Sequence, residues 1–147
     1  MKFHGFLHLN VRCSKSDLPA IEKFYGEVLG LKTGYRPQFM FPGIWLYYGD
    51  DPIVHVGARF PEGSIVKDKH SGSVDHIAFK ASGAVEFRER LKRLGIVFEE
   101  QNIENAGYQV FLYDPVGTKL EFNFLKDRKS TRLNSSHIQK SRMPSSA

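Results

Sequence analysis

Two short apolar segments, each with a histidine at its centre, dominate the pattern of hydrophobic and polar residues along the chain. Residues 5–11 contain His8 and residues 73–79 contain His76, and both segments are rich in branched or aromatic side chains. Segments of this kind predict buried or half-buried strands. An imidazole at the centre of such a strand needs a hydrogen bond or a bound partner if it faces inward. The pattern therefore predicts that the two imidazoles meet at one point in a small domain.

Helical spacing of apolar residues follows each of these segments. In the first half, Ser16 or Asp17 is expected to cap a helix that has Pro19 in its first turn and stops at Gly30. In the second half, Gly95 is expected to end a helix whose apolar residues are Val85, Phe87, Leu91 and Leu94. Residues 59–72 read as a linker. The remaining strands are predicted at residues 32–36, 44–48, 53–58, 96–99, 108–113 and 119–124.

The two halves match in element order and roughly in spacing. His8 corresponds to His76 at an offset of 68 residues, and His55 corresponds to Glu121 at an offset of 66. The order strand, helix and three strands in each half predicts an α+β protein made of two tandem β-α-β-β-β modules. Each module has an apolar sheet face that needs its twin to cover it, so a curved mixed sheet is expected.

Composition places the chain among ordinary globular proteins. Its 147 residues suit one domain, and 41% of them are apolar and 13% aromatic. No apolar run approaches the roughly 18 residues of a membrane helix, and the first residues do not form a secretory signal. The single cysteine, Cys13, excludes an internal disulfide and predicts a reducing compartment, so we expect a cytoplasmic protein.

Most of the net charge lies at the end of the chain. Residues 127–147 carry five basic residues and one acidic residue, and so contribute +4 of the net +5. The nearly neutral remainder gives no electrostatic case for a nucleic-acid partner. Residues 127–137 and 141–147 resemble the in-frame translation of a common DNA-sequencing adapter. We therefore expect a non-native tail at 127–147 after a domain at 1–126.

Four sequence motifs resemble those of a known family. They lie at residues 7–12, 24–31, 74–79 and 114–121, and include Phe-Tyr-x-x-Val-Leu-Gly-Leu and Asp-Pro-x-Gly-x-x-x-Glu. Over nearly all of residues 5–125 the chain resembles the vicinal oxygen chelate superfamily, the glyoxalase/bleomycin resistance protein/dioxygenase family. Within it, the chain is most similar to two-module members of the glyoxalase I kind. The resemblance implies a glyoxalase-like fold with modules at about 5–58 and 73–125, arranged around a metal site.

The resemblance also implies a ligand set for a divalent metal ion. It makes His8, His76 and Glu121 metal ligands, with His55 at the usual fourth position. Imidazoles and one carboxylate suit Zn, Ni, Mn, Co or Fe(II) and leave open positions for a substrate. Two roles stay open, because Glu121 could act as a general base and His55 could be a ligand or an acid/base. Taken alone, His8 and His76 are each more often hydrogen-bonded core histidines, and Glu121 could be a solvent-facing acid.

Four further residues are candidates for contact with substrate. Arg12 matches an arginine that binds the glutathione carboxylate in glyoxalase I, although a surface arginine is an equal alternative. Arg36, Tyr108 and Gln109 are candidate walls of a pocket. Trp45 is another, but an indole in this pattern is more often part of the core. His4 and His70 are expected outside the site.

Several reactions are compatible with this resemblance. The first is a lactoylglutathione lyase-type isomerisation of a small carbonyl or thiol-adduct substrate, with a carboxylate moving a proton between adjacent carbons. The second candidate is an Fe(II) extradiol-type ring-cleaving dioxygenase. It ranks below the isomerase because many such dioxygenases have four modules, whereas this chain has two. A fosfomycin-type thiol transferase or hydrolase lacks a clear phosphonate-binding cluster in the sequence. The alternative outside enzymes is a metal-free, bleomycin-sequestering type of binding module. A small-molecule substrate and a homodimer are expected.

Overall fold

The structure is a computed structural model that describes residues 1–2, 4–63, 74, 76–103 and 107–124. It divides into two compact units, Met1–Asp68 and Lys69–Ala147. The predicted non-native tail, His70 and most of the predicted linker lie outside the described residues. Among the helices of the described part, none is long and apolar enough to cross a membrane.

The first unit is a four-stranded mixed sheet with one α-helix. Strand β1 is parallel to β4, while β4, β3 and β2 are antiparallel neighbours, in the order β1-β4-β3-β2. Asp17 is the N-cap of the helix, a proline lies in its first turn, and Gly30 ends it with a φ of 74°. The proline and glycine signals are confirmed. Asp17 occupies the N-cap position without a side-chain capping hydrogen bond, because its carboxylate accepts hydrogen bonds from the backbone N–H and the hydroxyl of Ser14. The elements are β1 Leu9–Cys13, a 3₁₀ turn Lys15–Asp17, α1 Leu18–Leu29, β2 Lys32–Gly34, β3 Gly43–Tyr48 and β4 Asp51–Ala58.

The second unit repeats this topology. Its sheet has the order β5-β8-β7-β6, with β5 parallel to β8 and the other pairs antiparallel. The prediction of an α+β protein with two β-α-β-β-β modules is therefore confirmed, and each module forms its own four-stranded mixed sheet. The elements are β5 Ile77–Ala81, α2 Ala84–Arg93, β6 Phe98–Ile103, β7 Gly107–Tyr113 and β8 Lys119–Phe124.

One face of each sheet carries the apolar core of its unit. In the first unit, residues of α1 such as Ile21 and Tyr25 are fully buried, as are Val54 of β4 and Leu46 of β3. In the second unit, the ring of Phe87 in α2 packs against two phenylalanines of β8, with centroids 4.7 and 5.7 Å away. Because side chains alternate along a strand, the opposite face of each sheet is left for polar side chains.

Several sequence predictions differ from the structure, among them the strands predicted at 32–36 and 96–99, which span Lys32–Gly34 and Phe98–Ile103. The first and fifth strands begin at Leu9 and Ile77, so each histidine lies one residue ahead of its strand and not at its centre. The reason is pairing, since the parallel register of β1 starts at Leu9 and the apolar Leu7 is 80% exposed. In α2, Val85 is 61% exposed because the buried face of the helix is formed by Phe87 and Leu91.

Candidate functional site

Three aromatic rings lie in parallel on the polar face of the first sheet. His55 of β4 pairs with Trp45 of β3 on one side and with Asn10 of β1 on the other. Its imidazole stacks on the indole of Trp45, with centroids 3.8 Å apart and planes 5° apart. It also stacks on His8, at 3.9 Å and 18°. The ring of Trp45 thus contacts the candidate site, contrary to the core role that its sequence pattern favours.

Both imidazoles of this stack present a buried nitrogen. His8 Nδ1 and His55 Nε2 have no hydrogen-bond partner among the residues that the structure describes. Burial lowers the pKa of His55, the positive charge of His8 lowers it further, and a hydrogen bond with the backbone of Pro52 opposes the shift. His55 is therefore neutral at pH 7. A neutral imidazole with a partnerless buried nitrogen is suited to ligate a metal ion or to exchange a proton.

A histidine and a carboxylate form the corresponding pair in the second unit. His76 Nε2 lies 2.7 Å from Oε2 of Glu121, whose side chain is only 8% exposed. Asn123 donates a hydrogen bond from Nδ2 to the other carboxylate oxygen at 3.1 Å. Phe111, which pairs with Glu121 across the sheet, meets the imidazole edge to face at 5.7 Å. Glu121 is thus a buried, partnered carboxylate and not a solvent-facing acid.

The two pairs occupy the same place within their own units. In β1, Asn10 pairs with His55, and in β5, Ala78 pairs with Glu121. The histidine of each unit precedes this pairing residue by two positions in the sequence. Since residues i and i+2 of an extended chain lie on one face, the spacing brings each histidine beside the second polar side chain of its pair. The structural register therefore matches the duplication read from the sequence.

The candidate metal-ligating side chains occur as two pairs, His8 with His55 and His76 with Glu121. Among the described residues, no three His, Cys, Asp or Glu side chains lie close enough together to hold a metal ion. The four-residue ligand set implied by the resemblance thus stays a prediction. The chemistry of the donors fits a divalent first-row metal ion, because it combines imidazole nitrogens, two of them buried without a partner, and one carboxylate.

Two predicted substrate-contacting arginines belong to the first unit. Arg12 is exposed, and its guanidinium lies over the ring of Phe60, with Cζ 5.1 Å from the centroid. It pairs with Gly57, two residues from His55, and so shares the polar face of the sheet. Arg36 donates a hydrogen bond from Nη2 to the carbonyl oxygen of Phe41 at 3.0 Å.

The two predicted residues of the second unit lie on opposite faces of β7. Gln109 is buried on the face of Glu121, pairs with Asn123 and accepts a hydrogen bond from Gln101 at 2.8 Å. Tyr108, the residue before it, faces the helix side, where its ring contacts Phe124, so the structure does not bring these two candidates together.

The surroundings of Tyr108 are those of a structural residue. Its hydroxyl donates a hydrogen bond to Glu100, and Nε of Arg88 lies 3.0 Å from the same carboxylate. Burial raises the pKa of Tyr108 above its usual range, and the hydrogen bond to Glu100 and the negative charge of that residue raise it further. The hydroxyl therefore stays protonated and links β7 to Glu100 of β6, whose carboxylate also contacts Arg88 of α2.

Sequence reasoning missed one basic residue at the end of the strand that carries His55. Arg59 follows β4 directly and places its guanidinium over Phe41, with Cζ 4.5 Å from the ring centroid. A basic residue just beyond the strand that carries His55, in the run Gly57-Ala58-Arg59-Phe60, is the signal that could have found it.

The topology and register described above are those of the vicinal oxygen chelate, or glyoxalase-like, fold. Solved structures with this fold include the glyoxylase/bleomycin resistance protein/dioxygenase domain from Frankia, which is 20% identical with a TM-score of 0.66 over 85% of this chain and 100% of that chain. At the level of the fold, they confirm the resemblance noted in the sequence. No family sequence model and no curated protein sequence matches the chain.

Two further structures with this fold have named activities or ligands. Lactoylglutathione lyase from Agrobacterium tumefaciens is 20% identical, with a TM-score of 0.59 over 82% of this chain and 92% of that chain. A point mutant of the fosfomycin resistance protein FosX from Listeria monocytogenes, complexed with Mn(II) and 1S,2S-dihydroxypropylphosphonic acid, is 17% identical. Its TM-score is 0.65, over 86% of this chain and 95% of that chain.

Proposed function

We propose that this protein is a metal-dependent enzyme of the vicinal oxygen chelate type. In this proposal it carries out a glyoxalase I-like, lactoylglutathione lyase-type isomerisation of a small carbonyl or thiol-adduct substrate. The observation that carries the proposal is the repetition of a histidine beside a second donor at the same register position in both sheets. A core histidine in one module would be ordinary, but the same arrangement in both modules fits a shared chemical role.

The proposed metal ligands are His8, His55, His76 and Glu121. The partnerless buried nitrogens of the first unit support this assignment, because a buried polar atom without a partner is costly unless something binds it. A divalent ion held by such donors, whether Zn, Ni, Mn, Co or Fe(II), would polarise a carbonyl oxygen as a Lewis acid. A metal-free binding module would have no need of these donors, so the enzyme proposal is favoured over it.

Proton transfer is assigned to two of the chain's own side chains. We assign Glu121 as the general base that takes a proton from the carbon next to the carbonyl and returns it to the carbonyl carbon, while the hydroxyl proton of the first carbon passes to the former carbonyl oxygen. The carboxylate is buried and held by Asn123, which limits its orientations and keeps water away from it. His55 is neutral at pH 7 and can share the proton transfer or serve as a ligand. A small-molecule substrate, a homodimer and a cytoplasmic location are part of the proposal.

The naming of two neighbours supports the choice of reaction and metal. One is a lactoylglutathione lyase and another is a FosX complex with Mn(II). The neighbours also set the alternatives, namely an extradiol-type dioxygenase and a fosfomycin-type transferase. Isomerisation of a hemithioacetal followed in ultraviolet light, oxygen uptake with catechols under Fe(II), and loss of fosfomycin with a thiol distinguish the three reactions.

Metal content of the purified protein tests the ligand assignment. We expect His76→Ala to lower the bound divalent metal at least about ten-fold, because loss of one ligand removes much of the affinity of such a site. His4→Ala is the matched control, since His4 is exposed and outside the proposed ligand set. Metal loading of His76→Ala equal to that of His4→Ala would contradict the assignment.

A further inference from the structure

Two arginines share one aromatic ring in the first unit. The guanidinium carbon of Arg36 lies 5.1 Å from the centroid of Phe41, and that of Arg59 lies 4.5 Å from the same centroid. Arg36 also lies over Phe39, at 4.6 Å. Cation–π contacts hold each guanidinium against an aromatic face and so restrict its position. Both guanidinium groups therefore contact the ring of Phe41, which places their carbons within about 10 Å of each other.

No carboxylate neutralises these charges within the described part of the chain. The ion pairs seen among the described residues include those of His76 with Glu121, Arg88 with Glu100 and Lys92 with Glu89, and none of these contains Arg36 or Arg59. Two positive charges held against the same aromatic ring repel each other, and the repulsion is greatest where water is partly excluded. A bound anion would turn this repulsion into attraction, so the pair of arginines is suited to a negatively charged ligand.

Hydrogen-bond donors remain for such a ligand. A guanidinium has five N–H groups, and the contact of Arg36 with the Phe41 carbonyl uses one of them. Nε of Arg36 is buried and has no partner among the described residues. Arg59 is exposed and has its side chain directed over the ring. Each guanidinium therefore keeps N–H groups with which it can bind an anionic oxygen beside the ring of Phe41.

Two glycines allow this cluster to lie close to the face of the sheet that carries His55. A Cβ on Gly57 would approach Phe41 Cε2 to 3.0 Å, and a Cβ on Gly43 would approach Arg36 Nη2 to 3.0 Å. Gly43 and Gly57 are directly paired. Gly57 is two residues from His55, so all of these groups share one face.

A chain of aromatic contacts links the cluster to the histidine stack. The ring of Phe39 lies 5.5 Å from Phe41 and 6.3 Å from Trp45. Trp45 in turn stacks on His55. The two arginines and the imidazoles of His8 and His55 therefore border the same surface of the first unit.

We propose that Arg36 and Arg59, held on Phe41, form a binding site for an oxyanion group of the substrate, either a carboxylate or a phosphonate. The inference rests on the proposed function, because that proposal identifies the reacting site beside these arginines. The binding of the anion itself does not require the metal. It narrows the substrate to a small carbonyl or thiol-adduct molecule that carries such an anionic group. We call this pair of arginines with their shared ring the Phe41 subsite.

Calorimetric titration of the full-length protein with propionate and with methylphosphonate tests the subsite, both as purified and after chelator treatment. We expect at least one of the two anions to bind in both states, and the preferred one identifies the chemistry of the group. Arg59→Gln should weaken that binding about ten-fold. Arg93→Gln, an exposed arginine of α2 with the same change in charge, is the matched control and should leave it unchanged.

Two results would overturn the subsite. One is that neither anion binds in either state, and the other is that Arg59→Gln and Arg93→Gln weaken binding equally, which would indicate general attraction to a basic protein. Arg59→Lys adds a specificity readout, because lysine keeps the charge and loses the paired geometry. Metal content separates the two proposals: a failed subsite with normal metal loading leaves the proposed function intact, while poor metal loading with normal anion binding contradicts only the ligand assignment.

Discussion

The contact between His76 and Glu121 should stabilise the fold even when no metal is bound. The carboxylate is 8% exposed and has two partners, the imidazole on one oxygen and Asn123 on the other. His76→Ala removes the imidazole and leaves Oε2 of the buried carboxylate without this partner, while Asn123 still donates to Oε1. A buried charged group that loses its partner costs the protein its desolvation energy.

The size of the effect follows from the exposure of the two side chains. Leaving a buried polar group unpaired costs about 1 to 3 kcal/mol, and more for a charge. The imidazole is 33% exposed, so water can reach the oxygen once the ring is gone. We therefore expect His76→Ala to lower the free energy of unfolding by about 1 to 2 kcal/mol at pH 7.5, the lower part of that range.

A double-mutant cycle in urea, with chelator present, measures the contact itself. The variants are His76→Ala, Glu121→Gln and the double mutant, and the expected coupling energy is about 1 kcal/mol, because a neutral amide needs the imidazole less than a carboxylate does. Equal slopes of the urea transitions show that the unfolded states are comparable. A coupling energy below about 0.3 kcal/mol, the usual limit of additivity, would refute the stabilising contact.

Two further predictions concern the first sheet. Because the pKa of His55 is lowered in the folded state, the unfolded state takes up a proton that the folded state does not as pH falls below the usual value of 6.5, so stability is lost toward acid. Between pH 7.5 and 5.5, the urea midpoint should fall less for His55→Gln than for the wild-type protein. An identical fall in both proteins would contradict this origin. Gly43→Ala would place a Cβ 2.3 Å from the carbonyl oxygen of Val56 and should cost about 1 to 3 kcal/mol in urea unfolding. Its control is Gly26→Ala, where the Cβ meets only ordinary contacts at 3.6 Å, and equal stability of the two variants would be the contrary result.

The helices could be predicted from the sequence because their signals are local. The N-cap position of Asp17, the following proline and the left-handed Gly30 are properties of a few neighbouring residues, and α1 begins and ends where they indicate. The strand boundaries were less predictable, since they depend on a distant partner. Apolar residues such as Leu7 extend the pattern of β1, but its pairing with β4 starts only at Leu9.

Parts of the candidate site show the same division between local and distant information. The correspondence of His55 with Glu121 was visible as an offset in sequence, and the register of both sheets agrees with it. The alternation of side chains along β7 also implies that Tyr108 and Gln109 face opposite ways. The meeting of Arg36 and Arg59 on Phe41 could not be predicted, because it depends on how the segment before β3 folds back over two paired glycines.

The matched register of the two sheets has a consequence for how such a protein can change its chemistry. The first sheet carries the neutral imidazole of His55 and the second carries the carboxylate of Glu121 at the equivalent position, yet the neighbouring strands pair in the same way in both sheets. Charge can therefore be redistributed between the halves by exchanging single side chains, with no need to remodel either backbone. Duplication of this kind separates the architecture, which is copied, from the reactivity, which each copy is free to vary.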